Sequence, residues 1–571
     1  MSYILGIGGY VHDASAAIIH NGRVVAAVQE ERLTKVKHAG GFPYKSIEFC
    51  LNEAEISFDD LDSIAFYQSK GHFNKLMTSS LFDFLTHPLW TVKNIDKVFG
   101  RLAFQVYKNI RFKIDLQLFR KKYNFNKNKI IFFDHHKSHA ASAYFSSGKS
   151  ELGVLVVDSV GDSKTTSYWD CKGGKLHEVM EPVKHPNSIS RIYSLITKHL
   201  GFPSMGDQYK VMGLASYGEP KFLSEMKEII KLTKNGYTFN NKYFCWQDGY
   251  IFSSKFKKKF GNPRDSSHNI SDHDKNIAAS AQALFEYVVE HCIDLLVGKI
   301  QHSNISIAGG SALNCTANGK LLSSNRYDSV YVSAFSSDLG TCIGAAYLAY
   351  YEYEDQKYDP LISYLVTDSF GPSFNDDEIK KVLKRSLINY SYTENPQKYA
   401  AEEIYNGKIV GWFSGKMEFG PRSLGNRSIL ADPRSAEIKD RINKNIKFRE
   451  EFRPFAPIIL RDKMLEFYGI EVDSPFMTFT LLVVEKMRKH IEGVVHVDGT
   501  SRVQTVSEND NAILYELVNY FYKKSKVPVI LNTSFNLAGE PIVCTPEDAL
   551  RTFYTSGIDT LILGNFVIEK K

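Results

Sequence analysis

Two histidines, His135 and His139, sit four residues apart in Asp134-His135-His136-Lys137-Ser138-His139. On a helix, residues four apart share one face, so the two imidazoles would stand one turn apart. This is the spacing by which two neutral imidazoles grip one metal ion. The same pair would also suit a solvated helix face or core histidines bonded to backbone. The context favours the metal. Ile130–Phe133 reads as a short buried strand, and Asp134 can cap the following helix because its carboxylate accepts hydrogen bonds from the first free N–H groups. Small residues follow (Ala140, Ala141, Ser142, Ala143), and a strand ending in Asp158 comes soon after.

A second set of residues suits anions. Arg422 lies in GPRSLG, Lys447, Arg449 and Arg453 in KFREEFRP, and Arg502 in DGTSRVQ, all loops at strand ends. A guanidinium on a Gly-rich loop captures phosphate or carboxylate through two parallel N–H donors. One such arginine is usually solvated; several on loops at one sheet edge predict an anion pocket. Lys210 is the cation of the Gly-rich stretch GFPSMGDQYKVMGLASYGE, which can approach a ligand closely or be a plain surface loop. Gly309-Gly310 follows the strand NISIA and precedes the helix of SALNCTANGKLL, whose N-terminal amides could receive a nucleotide or simply end a tight turn. Asp338 stands at the start of a further helix, where it could also be no more than a cap.

The elements that would position these residues show a repeat. Residues 3–29 read as strand, turn, strand, Asn21-Gly22 hairpin turn, strand, with His12-Asp13 at the tip of the first turn. At about 153–180 the order recurs, with Gly161 in the corresponding turn. Two lobes of one pattern predict a duplicated α/β unit with a Gly/Asp loop from each lobe aimed at a central cleft, the layout of the actin-like ATPase fold. Residues 354–370 read as a linker and 371–571 as a second α/β domain. Between the repeats, 70–128 is basic and aromatic with helical spacing. It reads as an amphipathic helical insertion packed on the lobe, with an acceptor lid or a dimer surface as sharper alternatives and a nucleic-acid or membrane face as a less favoured one, since aromatics at helical spacing are usually core.

Composition excludes several classes. A chain of 571 residues is too long for one core. The net charge of +6 is small for that length and predicts no nucleic-acid partner. The seven cysteines are scattered without CxxC and read as buried thiols of a reducing compartment. No basic-then-apolar leader and no run near the roughly 20 apolar residues of a membrane span are seen, so a cytoplasmic protein with no membrane partner is expected.

Taken together, HDASAA, EERLTKVKH, DHHKSHAASAYF, KVMGLASYG, GGSALNC, SSDLGTCIGAA, FGPRSLGNRSILADPR, KFREEFRPFAP, DGTSRVQTV and NTSFNLAGEPIV run from end to end of the chain. In this the chain resembles the O-carbamoyltransferases typified by nodulation protein NodU and by the cephamycin and tobramycin carbamoyltransferases. The match is poorest over 70–128. The resemblance implies a threonylcarbamoyl-transferase-like, actin-like domain over 1–355 and a YrdC-like domain over 371–571. It implies that the second domain converts carbamoyl phosphate and ATP, the latter with Mg, into carbamoyl-adenylate and pyrophosphate. The first domain would then pass the carbamoyl group to a hydroxyl of a small molecule, a sugar or secondary metabolite, beside a divalent metal.

On that resemblance His135, His139, Asp158 and Asp338 are the metal ligands. It implies iron, although imidazole and carboxylate ligands suit Mn and Zn about equally. Lys37, Gly161, Lys210, Gly309, Gly310 and Asn314 would hold the carbamoyl-adenylate. Arg422, Lys447, Arg453, Arg502, Asn532 and Asn536 would bind carbamoyl phosphate and ATP. His12 is the candidate general base for the acceptor hydroxyl, since imidazole titrates near neutral pH; a binding or turn-stabilising role is its alternative. Two further functions are compatible with such domains, tRNA threonylcarbamoylation and nucleotide-gated binding without catalysis. The small net charge speaks against the first, and the HxxxH helix has no task in the second.

Overall fold

The computed structural model describes residues 2–71, 95–203, 206–245, 251–365 and 367–570. It is a mixed α/β protein with three main sheets. In the first, the strands run in the order Arg23–Gln29, Ser15–His20, Tyr3–Gly8, Ser63–Phe66, Ile130–Phe132. In the second, the path is Lys175–Glu178, Lys164–Lys172, Glu151–Gly161, Asn304–Ala308, Ser329–Tyr331. Along both paths the first two pairings are antiparallel and the last two parallel. The repeat expected from the order of elements is therefore present in strand order and direction, although the residues scarcely match.

The two sheets exchange helices. His135–Ser146 leaves the last strand of the first sheet but packs on Glu151–Gly161 of the second. Thr341–Leu348 follows the second sheet but packs on Tyr3–Gly8 of the first. Glycines make both approaches close. A Cβ on Gly6 would lie 1.9 Å from the Cys342 carbonyl oxygen, and one on Gly344 would lie 1.9 Å from that of Ser138. The exchange brings Asp338, just before the second helix, over the imidazole face of the first.

The third sheet has nine strands, with Val410–Phe413, Arg427–Ala431 and Val529–Ser534 at its centre. The segment Glu30–His38 ties it to the first lobe. Arg32 Nη2 donates to the Gly420 carbonyl at 2.9 Å, and Lys35 pairs with Asp548. Residues 354–370 are mostly irregular, with a short helix at Pro360–Ser363. Of the 70–128 segment, Ile95–Tyr123 is one long helix, and 72–94 lies outside the described residues. Six described cysteines are buried thiols, and no described helix is long and apolar enough to cross a membrane.

A buried histidine makes the fold acid-sensitive. His199 ends the helix Ile189–His199 against Phe252 and Phe256 and is 4 % exposed, with Nδ1 unpartnered. Burial pushes its imidazole down to about 4. The unfolded chain takes up this proton below about 6.5 while the folded one does not. The stability that His199 contributes is thus fully present above pH 6.5 and is lost as pH drops toward 4. Thermal midpoints across that window should fall, and His199→Leu should flatten the slope by an amount worth about 1–3 kcal/mol at its acid end.

Candidate active site

His135 and His139 occupy one face of the helix His135–Ser146, whose N-cap Asp134 accepts from Lys137 N at 3.0 Å. Their Nε2 atoms face each other at 3.1 Å. Asp158 Oδ2 lies 3.4 Å from His135 Nε2, and Asp338 Oδ1 lies 3.6 and 3.3 Å from the two imidazoles. The four donor atoms all fall within 4.8 Å of one another. All four residues are 9 % exposed or less. Two imidazole nitrogens turned toward each other, with two carboxylates converging on the same buried point, fit a divalent cation of N/O preference. The electrostatics agree. Burial alone would depress the His135 imidazole, but Asp338 and Asp158 raise it to about 9, and both carboxylates are held below their usual range by the histidines.

The site is built by backbone as well as by side chains. Gly161 lies against the His135 ring, where a Cβ would stand 2.0 Å from Cδ2. Gly309 adopts φ 88° and packs on the Val157 backbone, and Gly310 N reaches Asp158 Oδ1 at 3.4 Å. Gly161 and Gly310 therefore touch His135 and Asp158 themselves. Asn314 caps the helix Cys315–Ser323 through Ala317 N and exchanges hydrogen bonds with Gln282. Lys37 is exposed.

The close helix contact yields a prediction. Gly344→Ala would force the two exchanged helices apart, at an overpacking cost of about 1–3 kcal/mol. Because Asp338 stands just before one helix and both histidines lie on the other, any metal held by this cluster should fall together with the thermal midpoint.

His12 stands at the tip of its hairpin with Nε2 3.9 Å from Asp338 Oδ2 and Nδ1 2.9 Å from Asp13 Oδ2. The other Asp13 oxygen accepts from His38 Nδ1 at 2.7 Å. Burial depresses the His12 imidazole, but the Asp13 hydrogen bond and the Asp338 charge outweigh it and raise it to about 9. The second lobe repeats the device: Asp162, in the equivalent turn, accepts from His135 N and from Ser69 N and Oγ. Both aspartates hold left-handed backbone, φ 56° and 49°, which a short polar side chain tolerates. Sequence reading placed Asp13 in its turn but gave no role to Asp13, His38 or Asp162; the paired Gly/Asp turns were the signal for the two aspartates.

The anion pocket lies between the third sheet and the first half of the chain. Arg422, Arg449, Arg453 and Arg502 line one cavity with Lys439 and His496, and the first half adds Tyr209, Met212, Cys315 and Thr316. Burial and the neighbouring arginines push Arg422 and Arg449 down to about 9, the mark of cations without enough counter-charge. The Arg502 Nε–H is buried without a partner. Arg453 stacks over Tyr209 at 4.6 Å. Lys210 sits beside this group but is engaged by Glu450 at 2.8 Å and Asp207 at 3.0 Å.

Three expected anion ligands sit elsewhere. Lys447 is buried and donates to Asn536 Oδ1 and O at 2.9 and 3.0 Å and to the Ser534 carbonyl, so it orders that loop. Asn536 is its partner. Asn532 donates to Ser423 O and Gln504 Oε1 and thereby pins the loop carrying Arg422. Glu418 adds to that pin by accepting from Leu424 and Asn426 N–H, each at 2.7 Å.

Residues 3–347 match the family described as Carbamoyltransferase N-terminus, and residues 401–570 match Carbamoyltransferase C-terminus. The chain belongs to the NodU-type O-carbamoyltransferase family. It is a transferase enzyme, which sets aside a binding module without catalysis. The nodulation protein NolNO of Sinorhizobium fredii is 34 % identical over 98 % of this chain and 79 % of its own length. NolO of Bradyrhizobium diazoefficiens is 34 % identical over 77 % and 79 %. The 3'-hydroxymethylcephem-O-carbamoyltransferase of Amycolatopsis lactamdurans is 27 % identical over 64 % and 65 %.

Proposed function

We propose that this carbamoyltransferase activates its carbamoyl donor with ATP in the arginine pocket and delivers it to a small-molecule hydroxyl at the histidine–aspartate cluster. The observation that carries the reading is the pairing of two unlike sites in one chain: a cationic cavity short of anions and a buried acid–imidazole cluster short of a cation. In the first, carbamoyl phosphate, water and ATP give carbamoyl-adenylate, phosphate and pyrophosphate. The four arginines neutralise phosphate charge and hold the reacting groups in line. This division assigns activation to a YrdC-like second domain and transfer to an actin-like first domain.

In the second site, carbamoyl-adenylate and the acceptor give the carbamate ester and AMP. His135, His139, Asp158 and Asp338 would hold a divalent metal, iron being the expected one, which would supply Lewis-acid polarisation of the carbamoyl oxygen. Gly309, Gly310 and their backbone amides line the approach of the adenylate. His12, tied through Nδ1 to Asp13, presents Nε2 to the cleft and would take the acceptor proton there. Its raised basicity reflects the carboxylate charge around it, which a cation on Asp338 counters.

Carbamoyl-phosphate-dependent release of pyrophosphate from ATP tests the reading, and a wild-type enzyme that releases none would overturn it. Threonine with bicarbonate in place of carbamoyl phosphate should yield no threonylcarbamoyl-adenylate.

A further inference from the structure

The long helix Ile95–Tyr123 shows two apolar faces. The inner one is accounted for. Phe112 and Phe119 are buried, with Phe112 against Tyr10 at 5.1 Å and Phe119 stacked on Phe42 at 4.8 Å. Asp115 accepts from the Tyr10 hydroxyl at 2.6 Å. The helix is thereby fixed to the hairpin that carries His12, with its opposite side turned outward.

That opposite side carries Phe104, Tyr107, Ile110, Ile114 and Leu118, each 50–54 % exposed. At 3.6 residues per turn, these five fall within an arc of about 120°. Cations crowd the same helix. Over residues 103–123, Lys108, Arg111, Lys113, Arg120, Lys121 and Lys122 stand against Asp115 alone, a balance of +5 in a chain whose entire net charge is +6. Lys122 pairs with Glu48 at 2.6 Å, Arg111 lies 3.7 Å from Asp115, and Lys108 and Arg120 are half-buried, which leaves Lys113 and Lys121 as the exposed cations unpaired among the described residues. By helical angle Lys108 and Lys113 lie on opposite flanks of the apolar arc, while Arg111 and Lys121 fall within it.

We infer that this outer face is a docking surface for the headgroup region of an anionic lipid bilayer. An apolar stripe of aromatic and aliphatic side chains, bordered on both sides by Lys and Arg, is the pattern of a helix that lies in the membrane interface without crossing it. The absence of a spanning segment, from which no membrane partner was expected, does not bear on such a helix. A second copy of the chain is the other occupant to weigh, and charge decides against it. Pairing two of these stripes would set two +5 helices side by side, whereas an anionic surface satisfies the apolar and the cationic groups together. Because the inner face of the helix clamps Tyr10, docking would hold the acceptor hairpin at the bilayer surface.

The full-length protein should co-sediment with vesicles of equal parts phosphatidylglycerol and phosphatidylcholine at about 0.1 M salt, and roughly tenfold less with phosphatidylcholine alone or in high salt. Ile110→Glu combined with Ile114→Glu should lower partitioning roughly tenfold at an unchanged unfolding midpoint. Lys108→Ala with Lys113→Ala should weaken binding to the anionic vesicles and reduce its salt dependence. Failure to bind the anionic vesicles, or equal binding by the Ile110→Glu/Ile114→Glu variant, would overturn the inference. So would a fall in that variant's unfolding midpoint, which would mean the stripe packs within the chain. A solution dimer that this variant splits would assign the face to a second copy instead.

Discussion

On the proposed two-site reaction, His139→Ala should leave the purified enzyme without stoichiometric divalent metal and lower carbamoyl transfer by roughly 10²–10³-fold, while pyrophosphate release persists. The reason is geometric. His139 Nε2 lies 3.1 Å from His135 Nε2 and 3.3 Å from Asp338 Oδ1, so its removal takes one of four converging donors and leaves Asp338 Oδ1 with His135 alone. The variant should still fold, because the deleted ring is buried in a polar cluster and its Nδ1 has no partner to lose. Metal analysis by mass spectrometry checks the first claim. Carbamoyl-adenylate consumption, measured as AMP release with an accepted hydroxyl compound, checks the second. Equal loss of pyrophosphate release would contradict the separation of the two sites. His135→Ala should behave alike and lose slightly more, since Asp158 touches that imidazole.

Arg422→Met should slow the other half of the proposed reaction. Carbamoyl-phosphate-dependent pyrophosphate release should drop by about 10² in kcat/KM, near the loss of one charge-assisted bidentate contact, with metal content unchanged. The same substitution should raise the thermal midpoint. Four arginines share this cavity, and burial together with Arg502 and Arg453 already pushes Arg422 down to about 9. Replacing one of several mutually repelling buried cations by an apolar chain of similar length relieves repulsion and keeps the volume filled. A more stable but much less active variant is the signature of a site held for ligand binding at the expense of stability. Thermal scans with added pyrophosphate check this from the other side. The wild type should gain several degrees from the anion and Arg422→Met far less.

Both substitutions fall on residues that the sequence makes visible, and for a common reason. His135 and His139 are legible because helical periodicity alone puts two imidazoles on one face. The duplicated lobes are legible because strand order is local information, carried by the Gly/Asp turns at Gly9–Asp13 and Gly161–Ser163. The arginines of the pocket are legible as a type, cations on Gly-rich loops at strand ends.

What the sequence could not settle is which cations share one space. Lys447 and Arg449 are two residues apart, yet the first, at the end of the helical turn Asn443–Lys447, turns inward to bind the Ser534–Asn536 loop and the second lines the cavity. Asn532 likewise serves the Arg422 loop through the Ser423 carbonyl.

By itself the sequence determined the chemical repertoire: which side chains can bind a metal or an anion, and the local elements that carry them, because both depend on residue type and short-range periodicity. Only the tertiary structure decided the assembly. Asp338 meets His135 and His139 because two helices cross to each other's sheet, an approach licensed by Gly6 and Gly344. Tyr209, Met212 and Cys315 complete the arginine pocket because the two halves close on it. Contacts between residues some 200 positions apart are set by packing of whole surfaces, and no spacing rule along the chain encodes them.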